Sequence, residues 1–137
     1  MSENAGRAVV VMVDDEKDFL DVIRRWVEPA YEFVGLNGGD ELLEELEAWR
    51  PSLVILDVSM PGEGGFDLCR KIRADARYAA LPVLFLTGSR DDDDFLRNIQ
   101  TGGTGYVTKP VGRRRLLATI KELVGAMEYE VDTAATD

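Results

Sequence analysis

The chain has 137 residues, of which 45% are hydrophobic, and a formal net charge of −10. That is enough for one domain with a real core, and the acidic balance argues against direct contact with nucleic acid or an anionic membrane. Histidine is absent and Cys69 is the single cysteine, which excludes a phosphohistidine, an imidazole base and an internal disulfide and fits a reducing cytoplasm.

The chain alternates strand and helix five times. The run AVVVMV at residues 8–13 predicts the first strand, and Phe19, Leu20, Ile23 and Val27 fall at helical spacing over residues 16–27. Pro29 helps end that helix, residues 31–36 give a shorter strand, and Asn37, Gly38 and Gly39 turn after it. Leu42, Leu43, Leu46 and Trp49 mark a second helix that stops near Pro51, and LVIL at residues 53–56 is the central strand. Gly64 and Gly65 open a third helix carrying Phe66, Leu68, Cys69 and Ile72. Residues 83–86 form a fourth strand, 92–100 a short helix and 104–107 the last strand. Leu116, Leu117, Ile120, Leu123, Val124 and Met127 stripe the last helix. Cys69, Trp26 and Trp49 read as packing residues of their helices.

Strands that are almost wholly apolar are buried on both faces, so the expected architecture is α/β, an open parallel sheet between two layers of helices. Residues 1–7 read as a disordered leader without a signal sequence, 8–127 as the domain and 128–137 as a polar tail or linker stub. No segment approaches the roughly 20 apolar residues of a membrane span. The compact basic cluster Arg113, Arg114 and Arg115 is too small for a nucleic-acid face.

In an open parallel sheet a ligand lies beyond the carboxyl ends of the strands. Asp14, Asp15, Asp57, Thr87 and Lys109 all fall there in the predicted elements. Three clustered carboxylates repel one another, and a hard divalent cation, Mg2+ or Mn2+, resolves the repulsion. Asp15 and Asp57 are the expected direct ligands with a backbone carbonyl at Ser59, and Asp14 acts through water. Asp57 suits a nucleophile, Lys109 a point positive charge, and the Thr87 hydroxyl a donor to a phosphoryl oxygen. Taken singly, Asp14 and Asp15 also read as a helix cap, Thr87 as a turn residue and Lys109 as a solvated lysine.

The segments VDDE at Asp14 and Asp15, LDVSMPG around Asp57, FLTG around Thr87 and GYVTKP around Lys109 stand in this order across residues 8–127. Together they resemble the receiver domains of two-component response regulators, of the chemotaxis-regulator-like kind. The resemblance implies a flavodoxin-like (βα)5 sandwich, three-layered, with a parallel five-stranded sheet in order 2-1-3-4-5. It implies that a sensor histidine kinase or histidine phosphotransfer protein donates a phosphoryl group to Asp57 in a magnesium-dependent reaction, with assistance from Lys109 and Thr87. It further implies a cis Lys109–Pro110 bond and a switch through Thr87 and Tyr106. The altered surface would then engage a downstream protein effector, an output domain outside this chain, or a second copy in a phosphorylation-dependent homodimer.

The alternative is a pseudo-receiver, a protein-binding module independent of phosphorylation, but Asp57 and Lys109 are both present. A phosphoaspartate hydrolase wants a second aspartate where this chain has Ser59. Asp91 to Asp94 and the glycines Gly102, Gly103 and Gly105 depart from the common receiver pattern, and the glycines count against a standard dimer on that face. Ser59 and Ser89 occupy positions that in the family influence how water reaches the acyl phosphate.

Overall fold

A computed structural model describes residues 6–88 and 102–136, with side chains of the last helix described as far as Gly125. The helix expected over residues 92–100, the acidic run Asp91 to Asp94 and Ser89 lie outside the described residues.

Five strands form one parallel sheet: β1 (Val9–Val13), β2 (Glu32–Leu36), β3 (Leu53–Asp57), β4 (Val83–Thr87) and β5 (Gly105–Thr108). Their spatial order is β2-β1-β3-β4-β5, as the resemblance implies. Among the described residues, four α-helices accompany them: α1 (Lys17–Val27), α2 (Leu42–Trp49), α3 (Gly65–Ala74) and α4 (Arg113–Thr136). A single 3-10 turn at Ala76–Tyr78, which no sequence pattern announced, leads from α3 toward β4.

Every residue of β1, β3 and β4 is buried, and period-two alternation sends their side chains to opposite faces. Val10, Met12, Leu53, Ile55, Leu84 and Leu86 pack with Leu20, Ile23 and Val27 of α1 and Leu116, Ile120 and Val124 of α4. Val9, Val11, Val13, Val54, Leu56, Val83 and Phe85 pack on the other side with Leu42 and Leu46 of α2 and Phe66, Leu68, Cys69 and Ile72 of α3. The result is a three-layer sandwich with two cores, one on each face of the sheet.

Trp26 packs against the first core as expected, but Trp49 does not reach the second. Trp49 ends α2 and is 41% exposed, with its indole N–H donating to Glu45 at 3.1 Å. Helix α4 runs on to Thr136, through a stretch whose weak apolar period predicts no packed helix. Arg7 donates to the carbonyls of Glu28 and Tyr31 and so ties the entry of β1 to the turn between α1 and β2.

At the amino edge of the sheet, Arg73 at the end of α3 bridges separate parts of the chain. Its Nε and Nη2 donate to the Gly102 carbonyl at 3.0 and 2.8 Å, and its Nη1 donates to the Tyr78 carbonyl at 2.8 Å. Gly102 has φ of +86°, and a Cβ there would lie 3.1 Å from Arg73 Nε. Both the left-handed backbone and the close guanidinium favour glycine at this point.

Candidate functional site

The site stands at the carboxyl ends of β1, β3, β4 and β5. Asp57 and Thr87 are the last residues of their strands, not the first residues after them. Asp57 pairs with Leu86, and Thr87 pairs with Thr108. The sheet register therefore fixes both side chains. Asp14 directly follows β1, and its backbone N–H donates to the Leu36 carbonyl at 3.0 Å. Lys109 directly follows β5, with its N–H donating to the Thr87 carbonyl at 2.6 Å, and the Lys109–Pro110 peptide is cis.

Asp14, Asp57 and Thr87 are the buried polar or charged side chains among the described residues, whereas Asp15 is exposed. One carboxylate oxygen from each of Asp14, Asp15 and Asp57 lies within 4.8 Å of the others. The fold thus brings the three sequence-derived carboxylates together. Asp14 does not cap α1: its Oδ1 accepts from the Glu16 N–H at 2.9 Å, and Glu16 precedes the helix without capping it through its side chain. Ser59 N–H donates to Asp57 Oδ1 at 3.3 Å.

Lys109 supplies the opposing charge. Its Nζ lies 3.3 Å from Asp14 Oδ2, 3.7 Å from Asp57 Oδ1 and 3.8 Å from Glu16 Oε1. One ammonium does not offset the burial of two carboxylates. Burial pushes the Asp57 carboxyl up to about 6; Asp14 and Asp15 push the same way, while Lys109 and the Ser59 N–H oppose them. Burial also raises Asp14, against the Glu16 N–H and Lys109. Hard oxygen donors with unspent negative charge are what a divalent cation requires.

Two glycines bring α3 close beneath the Asp57 loop. The Gly65 N–H donates to the Val58 carbonyl at 3.3 Å. A Cβ on Gly65 would stand 2.6 Å from the Asp57 carbonyl oxygen, and one on Gly64 would stand 2.5 Å from the Val58 carbonyl oxygen. The pair marks the start of α3 in the sequence, and it is also a clearance for the main chain on either side of the Asp57–Val58 junction. Tyr106 is half-buried in β5, with its ring against the second core.

A doubly wound α/β domain with buried carboxylates and a lysine at the carboxyl edge of its sheet has the build of a signalling receiver. The chain belongs to the response regulator receiver domain family, whose model matches residues 10–121. It is 35% identical over 130 residues to the transcriptional regulatory protein GltR of Pseudomonas aeruginosa, covering 94% of this chain and 53% of that protein. It is 39% identical over 98 residues to the transcriptional regulatory protein AfsQ1 of Streptomyces coelicolor, covering 72% of this chain and 42% of that one. The matches thus span about half the length of these relatives. The chemotaxis protein CheY4 of Vibrio cholerae superposes with a TM-score of 0.82 at 28% identity, over 86% of this chain and 99% of that chain. A CheY-like receiver domain protein from Methanospirillum hungatei gives 0.84 at 25% identity, over 91% and 99%.

Proposed function

We propose that this chain is a phosphoacceptor switch in which Asp57 takes a phosphoryl group from a phosphohistidine donor. The observation that carries this reading is the placement of Asp57: buried at a strand end, within 4.8 Å of two further carboxylates and 3.7 Å from the Lys109 ammonium. A carboxylate oxygen attacks phosphorus, the P–N bond of the donor breaks, and the electron pair leaves on the imidazole nitrogen. Lys109 sits where it balances the carboxylate before transfer and the phosphoryl oxygens after it. Thr87 ends the neighbouring strand, from which its hydroxyl donates to a phosphoryl oxygen.

The three carboxylates fit Mg2+ or Mn2+, with Asp15 and Asp57 as direct ligands alongside the Ser59 carbonyl and Asp14 acting through water. When bound, the cation neutralises charge on the transferring group. The receiver unit occupies residues 8–127. Its upstream partner is a sensor histidine kinase or phosphotransfer protein in the cytoplasm, and its output passes to a protein effector or output domain through Thr87 and Tyr106. No described helix is long and apolar enough to cross a membrane.

The test is transfer of radiolabelled phosphate from a phosphorylated histidine phosphotransfer domain. Label must appear on the wild-type chain, be released by hydroxylamine as an acyl phosphate, and be absent from Asp57→Asn. Hydroxylamine-resistant label, or label retained by that variant, would overturn the assignment.

A further inference from the structure

Lys109 has a neighbour that the reaction scheme leaves unused. Its ammonium nitrogen lies 4.5 Å from the centroid of the Phe19 ring, well inside the roughly 6 Å range of a cation–π contact. Phe19 sits in the first turn of α1, half-buried, and packs against the core formed with α4. The sequence marks it only as one member of an apolar stripe. The fold, however, sets the ring against the same ammonium that Asp14, Asp57 and Glu16 approach.

A lysine side chain has no direction of its own. It is a compact, strongly hydrated charge on a flexible stem. Three carboxylates compete for this one: Asp14 and Asp57 within the site, and Glu16 at its exposed rim. The pull of Glu16 and of water is outward, and the pull of Asp14 and Asp57 is inward. The Lys109 side chain is only 20% exposed, and its ammonium is held between the two, 3.3 Å from Asp14, 3.7 Å from Asp57 and 3.8 Å from Glu16. A ring face attracts a cation through its quadrupole and excludes water from the side it covers. Because the core holds the ring, it is a fixed wall beside a mobile charge.

We propose that Phe19 is a positioning residue, an aromatic platform that holds the Lys109 ammonium within reach of Asp57 and Asp14 against the outward pull of water. It touches neither donor nor phosphoryl group and acts only through Lys109. The placement of the ammonium stands on geometry alone; its consequence for rate rests on the phosphoacceptor reading above.

Two variants separate the ring's face from its bulk. Phe19→Leu keeps an apolar side chain in the core and removes the π system, whereas Phe19→Tyr keeps both. The first readout is the proton chemical shift of the Lys109 ε-methylene by NMR on the full chain, which needs no phosphorylation. A nearby ring face shifts these protons upfield. The expected result is an upfield position in wild type and Phe19→Tyr that moves to the ordinary lysine value in Phe19→Leu. An ordinary value in wild type overturns the proposal.

The second readout is the initial rate of magnesium-dependent phosphorylation by acetyl phosphate at equal folded fraction. Phe19→Leu is expected to be slower by about tenfold, with unchanged magnesium affinity by calorimetry, and Phe19→Tyr is expected to restore the rate. An unchanged rate in Phe19→Leu, or a Phe19→Tyr rate as low as that of Phe19→Leu, overturns the role in transfer. Failure of the wild-type chain to label would instead sink the phosphoacceptor reading, and the methylene shift would still decide the placement.

Discussion

Lys109 Nζ donates to Asp14 Oδ2 at 3.3 Å across a separation of 95 residues. The bond joins the end of β1 to the end of β5, and the same ammonium stands 3.7 Å from Asp57 at the end of β3. A single charge thus spans the carboxyl edge of the sheet. It leaves the acidic cluster undercompensated, and several measurable consequences follow from that imbalance.

Cation affinity should depend on pH. Binding requires ionised carboxylates, and in the metal-free chain the Asp57 carboxyl sits at about 6. Magnesium affinity measured by calorimetry should be nearly constant above neutrality and weaken as pH falls through that value. Well below it the loss should approach about tenfold for each pH unit. Asp15→Asn should weaken binding sharply at neutral pH. Affinity that is flat with pH and unchanged in this variant would put the cation elsewhere.

Stability in chelator should show the opposite face of the same charge. The folded Asp57 carboxyl binds its proton more tightly than the unfolded one, whose value is near 3.8. Its contribution is therefore fully present below the unfolded value and is lost as pH rises through the folded one. Asp57→Asn removes this ionisation. Urea denaturation should find the variant gaining on wild type between these two values, by a total of about 3 kcal/mol. A difference independent of pH would contradict the direction assigned to Asp57.

Arg73 should matter through its shape. Arg73→Ala loses three charge-assisted bonds to the Gly102 and Tyr78 carbonyls and should cost about 2 kcal/mol in chemical denaturation. Arg73→Lys should recover only part of this, because an ammonium lacks the planar fork that reaches both carbonyls. Full recovery with lysine would reduce the clamp to a simple point charge.

Gly65→Ala should disturb the site without touching a functional side chain. The added methyl would meet the Asp57 carbonyl oxygen at 2.6 Å and the Val58 Cα at 3.2 Å. Both neighbours are main chain, so the loop carrying Asp57 must shift, at a cost of about 1–3 kcal/mol. The checks are the urea midpoint and magnesium affinity, both expected to fall. An unchanged midpoint would show that the close approach relaxes freely.

The layers were legible because β1, β3 and β4 are apolar at nearly every position, a pattern that only burial on both faces produces. The strand ends were less so. Asp57 and Thr87 are polar and read as lying outside their strands, yet the backbone ladder includes them through Leu86 and Thr108. The acidic residues and Lys109 were legible as a set because a parallel sheet gathers its strand ends along one edge. Side-chain direction was not. Trp49 has the composition of a core residue but lies beyond the buried face of α2, and Phe19 is part of an apolar stripe that also touches a charge. The contacts of Arg73 and Gly65 run to main-chain atoms remote in sequence or tightly approached, and residue types alone carry no trace of them.

Phosphorylation of Asp57 is tested most directly by intact-mass spectrometry after incubation with acetyl phosphate, with and without magnesium, on wild type and Asp57→Asn. Wild type should gain one phosphoryl group only when magnesium is present, and the variant should gain none. An equal gain in Asp57→Asn, or no gain in wild type even with a phosphorylated histidine donor, would contradict it.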